Sequence, residues 1–239
     1  MHKIEKEKLK KPPRLLGRLA GSIILAGAVS IIPIVVILYF VVNYSPINIP
    51  VWLLIALTPL YYTMAKWIFN LAFLGLAGRQ LKPVEEGTHE FDMKNKSVRN
   101  WMTNIMLTNA TIHFIGMPPL GQNFLGGFVF KHLKCQLGPG TTLFNVSDPY
   151  MVEAGRHAVQ GGMGYMSGHI SKGTSLYLKK VKIGDGAMIG IYSFLSPGVE
   201  LGEGAIVAEY SFVPRDTKIP PNTIWAGIPA KQIYPKPKK

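Results

Sequence analysis

From Ile183 onward a large apolar residue returns at every sixth position: Ile183, Ile189, Leu195, Leu201, Val207, Val213, Ile219 and Trp225. Four residues after each of the first seven stand Ala187, Ser193, Val199, Ala205, Ser211, Thr217 and Thr223, all small or β-branched, with Gly, Pro, Asp and Asn crowding the positions between. A helix repeats near 3.6 and a flat strand at two, so a period of six needs another geometry. Because six is a multiple of two, a chain that turns a corner after each short strand returns to the same inward position. The pattern therefore predicts a parallel β-helix in which each hexad makes one flat face and about three hexads close one coil. Stacked coils then share a core that no single coil could bury. The larger aliphatic is expected to fill the interior and the small residue to fit the corner.

Composition adds a membrane-embedded part. Of 239 residues, 48% are apolar and 16% charged, and the apolar excess is concentrated early in the chain. No charged residue occurs from Leu19 through Ala65, and "NYSPINIP" (Asn43 to Pro50) divides the run into Leu19 to Val42 and Val51 to about Ala77, each long enough to span a bilayer. A secretory signal is disfavoured: the apolar region is too long, no small-x-small cleavage site follows, and a second span comes at once. "MHKIEKEKLKKPPRLLGR" holds seven Lys or Arg against two acids, the loop between the spans holds none, and Arg79 and Lys82 follow the second span. The positive-inside rule puts both ends, and with them the β-helix, in the cytoplasm at the cell membrane. Lys66 is expected to snorkel to the interface.

The net charge of +13 sits mainly in the two tails, +5 up to Arg18 and +4 in "KQIYPKPKK" from Lys231. Basic segments flanking membrane spans fit anionic lipid headgroups, and no zinc-finger spacing, RNP-like motif or basic reading helix points to nucleic acid. One cysteine, Cys135, excludes an intramolecular disulfide and reads as a small core residue. In "SVRNWMTNIMLTNATI", Val98, Trp101, Met102, Ile105, Met106 and Ile112 recur at helical spacing, which predicts an amphipathic helix with Ser97 as N-cap, lying on the bilayer or against the β-helix. The expected organisation is a basic tail over 1–18, two transmembrane helices over 19–77, a connector over 78–130, a β-helix over 131–230 and a basic tail over 231–239. Between Phe144 and Tyr177 the hexads are expected to lapse, except for "AGRHAV" from Ala154.

"VKIGDGAMIG" and "VPRDTKIPPNTIWAGIPAKQI" resemble the closing coils of the hexapeptide-repeat acyltransferases over roughly Leu133 to Ile233. Upstream, "LKPVEEGTHEF", "HLKCQLGPGTTL", "DPYMVEAGRHAV" and a Gly-rich segment ending in His169 resemble, in order, the membrane-embedded C-terminal domains of epsilon-poly-lysine synthetase and related nonribosomal peptide synthetase-like proteins. The adenylation and carrier domains of those synthetases have no counterpart here. The resemblance implies a left-handed coil, a homotrimer, and transfer of an acyl group from coenzyme A or another pantetheine thioester to a hydroxyl or amine acceptor.

Attack on a thioester needs a general base active near neutrality, for which histidine is suited. Of His2, His89, His113, His132, His157 and His169, the last follows "QGGMGYMSG", whose glycines permit close approach of backbone to a ligand. In the resemblance the catalytic histidine falls at the same place. Asn145, Asp148 and Glu153 are candidates to orient the imidazole or hold the acceptor, with a histidine of a neighbouring subunit as the expected partner. Turn chemistry accounts for "NVSDP" equally well. The resemblance further implies that Arg215 and Lys231 hold coenzyme A phosphates and that backbone around Gly227 lines the pantetheine arm, along a seam between subunits. Gamma-class carbonic anhydrases share the coil pattern, but their H-x-x-x-x-H zinc pair does not occur in this sequence, so no metal is expected. A non-catalytic trimeric scaffold holding the membrane helices is the remaining alternative.

Overall fold

The computed structural model describes residues 77–115 and 127–235, together with helical positions scattered between 35 and 60. The chain forms two units, Met1–Phe69 and Asn70–Lys239. In the first, Val35, Val36, Tyr39, Trp52 and Leu60 are helical and expose apolar side chains. The expected N-terminal tail, most of the two spans including Lys66, and the last four residues lie outside the described residues. Among the described residues no helix is long and apolar enough to cross a membrane.

The second unit is built on the predicted hexads. Three parallel ladders make the faces of the coil. One joins Gln136–Leu137, Val152–Ala154, Val181–Ile183, Glu200–Leu201 and Lys218–Ile219. A second joins Val159–Gln160, Met188–Ile189, Ile206–Val207 and Ile224–Gly227, and a third joins Tyr165–Met166, Phe194–Leu195 and Phe212–Val213. Isolated bridges from Thr142 to Val159 and from Val146 to Met166 begin the latter two faces in the first coil. Ile183, Leu201 and Ile219 stack eighteen residues apart, which is three hexads per coil. Ile183, Ile189, Leu195, Leu201, Val207, Val213 and Ile219 are all buried, and Ala187, Ala205, Ser193 and Ser211 close the corners with almost no exposure. Trp225 is part-exposed against this core at its last turn. Beyond it, Ala230–Tyr234 folds back antiparallel on Ile224–Gly227 and covers the end of that face.

The hexads do not lapse where the sequence pattern suggested. Ala154, Gln160 and Met166 occupy the same inward phase as Ile183, Ile189 and Leu195, so the second coil is complete. The misleading residue is Gln160, which is fully buried among aliphatic neighbours. Its side-chain oxygen accepts the Phe144 N–H at 2.9 Å and its amide nitrogen donates to the Asn145 carbonyl at 3.3 Å, so both polar ends are satisfied by the coil before it. The true interruption is shorter. Ala154 pairs with Ile183 twenty-nine residues on, rather than eighteen, and the extra length forms an antiparallel hairpin of His169–Lys172 and Ser175–Leu178. Gly87–Glu90 adds to it as a third strand.

The helix Lys96–Ile115 lies against this excursion. Its cap is Asn95 rather than Ser97: the Asn95 side-chain oxygen accepts from the N–H groups of Ser97 and Val98 at 2.9 and 3.4 Å. Val98 and Trp101 pack with Met151, Leu176 and Leu178, flanked by Met102 and Ile105, which is the second of the two locations expected for it. A polar stripe is buried as well. The Asn100 amide donates to the Pro83 carbonyl, and Asn104 exchanges two hydrogen bonds with the backbone of Lys82. The extended segment after residue 80 is thereby clamped to the helix.

Candidate active site

"NVSDP" delivers Asp148 to the end of the first coil, where Pro149–Met151 forms a single 3-10 turn with proline at its start. The side chain does not cap that turn. It points inward with no solvent exposure and is held by four donors. Tyr150 donates its hydroxyl to Oδ1 at 3.1 Å, while Gly168 N, Ser167 Oγ and His169 Nδ1 approach Oδ2 at 3.0, 3.3 and 2.7 Å. Burial, then the charge of Asp148 and their hydrogen bond, hold the Tyr150 phenol well above its usual range, which keeps it a donor.

His169 opens the excursion hairpin, and its side chain is 22% exposed beside a carboxyl group that is 0% exposed. Assigning the Nδ1 proton to the bond with Asp148 leaves Nε2 as the free acceptor. Ser167 braces the arrangement by accepting the His169 N–H at 3.2 Å, and its single hydroxyl proton is shared between Asp148 Oδ2 and the His169 carbonyl, at 3.3 and 2.9 Å. Gly168 permits the approach: a Cβ there would lie 2.6 Å from the Cβ of Met151. The indole of Trp101 stands against the imidazole with centroids 4.8 Å apart. A buried acid and an oriented, part-exposed imidazole are the parts of a general base.

Three of the expected partners resolve differently. Asp148 does meet a histidine, but that of its own chain. Asn145 offers its carbonyl to Met166 N and to Gln160, as part of the coil ladder. Glu153 pairs with Lys180 at 2.6 Å on the outer side of the first ladder and is not part of the Asp148–His169 cluster. Of the other histidines whose side chains are described, His89 and His132 bond to the carbonyls of Glu85 and Phe128, and His157 takes a left-handed turn position with φ of 53°. Burial pushes the Cys135 thiol up to about 12, in keeping with a core residue.

On the donor side, Arg215 lies over the ring of Tyr177, 5.3 Å from its centroid. Tyr177 is the register partner of Ile170, next to His169, so Arg215 rests on the hairpin that carries the imidazole. Tyr177 and Lys179 donate to Asp216 at 2.7 and 2.6 Å and latch the hairpin to a later coil. Burial raises the Asp216 pKa, but the bonds from Lys179 and Tyr177 outweigh it and hold the carboxyl below the usual range. Lys231 is exposed on the terminal strand. Gly227 has φ of +100°, and its N–H is already given to Ser211 Oγ at 3.2 Å. Tyr150, Ser167 and Trp101 were missed in the sequence; only tertiary contact joins them to His169.

Residues 180–215 match the family model described as bacterial transferase hexapeptide (six repeats). The match bears out the hexapeptide-repeat reading over those residues, and the matched family is one of transferases, in agreement with an enzyme. A comparison with curated proteins finds no match. Among solved structures, a hexapeptide-repeat acetyltransferase from Vibrio cholerae with acetyl coenzyme A is 14% identical at TM-score 0.43, covering 63% of this chain and 94% of that one. A galactoside acetyltransferase with coenzyme A is 16% identical at TM-score 0.36, covering 57% and 78%. A maltose O-acetyltransferase from Clostridium difficile is 19% identical at TM-score 0.33, covering 45% and 72%. At these values the likeness carries no argument about chemistry; the β-helix stands on its own strand register and the site on its own geometry.

Proposed function

We propose that this protein is a membrane-anchored acyltransferase in which His169, oriented by Asp148, is the general base. The observation that carries the proposal is the 2.7 Å bond between His169 Nδ1 and a carboxyl group with no solvent exposure. His169 Nε2 takes the proton from a hydroxyl or amine as the acceptor oxygen or nitrogen attacks the thioester carbonyl. The new ester or amide bond forms, the carbon–sulfur bond breaks, and the proton passes from His169 to the departing thiolate. Asp148 keeps the imidazole in the productive tautomer and stabilises the imidazolium.

Coenzyme A or another pantetheine thioester is the proposed donor, with the cations of Arg215 and Lys231 for its phosphates. The backbone near Gly227 would line the pantetheine arm through groups other than the Gly227 N–H. The hexapeptide transferase match over 180–215 supports this class of chemistry. Three chains are proposed to assemble through the outward apolar faces of the coil. The apolar segments before residue 77 would anchor them in the cell membrane, with both termini and the coil in the cytoplasm and the basic tails against anionic lipid. The exposed apolar helical positions Val35, Val36, Tyr39, Trp52 and Leu60 are consistent with contact to lipid.

The test is release of free thiol from acetyl coenzyme A by purified protein in detergent, offered amines, sugars and lipid headgroups in turn. His169→Gln should lower transfer by about a hundredfold or more. Full turnover by that variant would remove the base. No transfer by the wild type across a broad panel of donors and acceptors would favour a non-catalytic scaffold.

A further inference from the structure

His169 is held from two directions. Asp148 and Ser167 approach Nδ1 at 2.7 and 3.1 Å, and the indole of Trp101 stands against the ring with centroids 4.8 Å apart and planes at 60°. Trp101 comes from the long helix, outside the hexapeptide coils, and is 6% exposed. It packs with Val98, Met151, Leu176 and Leu178, and Phe91 meets it edge-on at 6.2 Å. The helix beneath it is pinned through Asn100 and Asn104 to the backbone of Lys82 and Pro83. One atom in this arrangement is costly. The Trp101 Nε1 is buried without a hydrogen-bond partner, a penalty that Phe or Leu would avoid while filling apolar space. What an indole supplies and leucine does not is an electron-rich face, the strongest among side chains for a cation within about 6 Å of its centroid. A histidine that has taken a proton is such a cation.

We propose that Trp101 is a positioning residue for His169: it holds the imidazole against Asp148 with Nε2 outward and stabilises the imidazolium formed as the base takes the acceptor proton. This rests on His169 being the base. The groups that face the imidazole are Asp148 from the first coil, with Tyr150 acting through it, the hydroxyl of Ser167 and, from the helix, the indole itself.

The full chain in detergent carries Trp52, Trp67, Trp101 and Trp225, so the emission of Trp101 is the difference between wild type and Trp101→Phe. A protonated imidazole against an indole quenches its emission. The Trp101 component should therefore fall on acidification, and His169→Gln should abolish that response. A component indifferent to pH, or a response that survives His169→Gln, overturns the proposal without any reference to activity. In steady-state transfer, Trp101→Leu should lower kcat about tenfold with KM little changed, and Trp101→Phe, which keeps a π face, should recover most of the loss. Normal kcat in Trp101→Leu beside an inactive His169→Gln overturns this proposal alone. Full transfer by His169→Gln overturns it together with the base.

Discussion

The first ladder of the coil and the other two have the same inside and opposite outsides. Inward, all three stack mostly aliphatic residues at the hexad phase, with the satisfied Gln160 as the polar exception. Outward, the first shows Gln136, Glu153, Lys182, Glu200 and Lys218 as successive register partners, so that from Glu153 onward the charge alternates from coil to coil. The second ladder shows Val159, Met188, Ile206 and Ile224, and the third shows Tyr165, Phe194 and Phe212 with ring centroids 5.5 and 5.7 Å apart. The corners differ in the same sense. His157, Gly186, Gly204 and Asn222 take left-handed φ at one corner, as small or polar turn residues do, whereas Met163, Tyr192 and Tyr210 take φ of 61°, 56° and 52° at the next. Bulky side chains rarely adopt that region, and here Tyr192 and Tyr210 stack at 5.2 Å on the surface. The inward residues thus encode the coil, while the outward ones separate a solvated face from faces suited to a partner.

If that division is right, inward truncations should cost the same on either side. Leu201→Ala under the charged ladder and Leu195→Ala under the aromatic one should each lose about 2–5 kcal/mol in denaturant unfolding. A loss below about 1 kcal/mol on one side would break the equivalence. Outward changes should not be equivalent. Phe194→Glu sets a charge in the aromatic stack and should weaken the proposed trimer about tenfold or more by native mass spectrometry, while Glu200→Gln should leave assembly unchanged. Dissociation by the second change, or indifference to the first, would reassign the partner-facing side.

Smaller effects sharpen the picture of the charged side. Lys182→Glu places like charges beside Glu153 and Glu200 and should destabilise by about 0.5–1 kcal/mol, less at high salt. An effect that salt does not reduce would point to packing instead. Smallest is the Asp216 latch on the hairpin. Because its folded-state pKa is lowered, its contribution is present above the ordinary carboxylate range and is lost as pH falls through the folded value. Partial exposure limits that contribution to under about 1 kcal/mol. The protection of the Ile170 and Tyr177 amides, taken relative to intrinsic exchange at each pH, should fall on acidification, and Asp216→Asn should remove that change in protection.

What could be read in advance follows from this division. Hexads from Ile183 to Ile219 were legible because burial repeats in the residue type itself, and His169 because a Gly-rich stretch precedes it. Gln160 hid a whole coil, since a polar residue satisfied by the carbonyl and N–H of the preceding coil looks like a break in a hydrophobic pattern. Asp148 was visible as a candidate but equally as a turn residue. Its burial, and the convergence of Tyr150, Ser167 and Gly168 on it, depend on a chain reversal that local spacing does not encode. Trp101 reads as one more apolar residue on an amphipathic helix. Its contact with His169 lies sixty-eight residues away in sequence, across the connector and two coils. Ser97 attracted the cap assignment because serine is a common cap, whereas Asn95, two residues earlier, has the required geometry.

The central claim is that a buried acid orients His169 as the base, and Asp148→Asn tests it most directly. The substitution keeps shape and volume but can present an amide nitrogen to Nδ1, which favours the wrong tautomer. With folding verified by an unchanged circular dichroism spectrum, transfer from the acyl thioester should show kcat reduced about a hundredfold or more and KM little altered. A variant that keeps kcat within about threefold of the wild type would contradict the account.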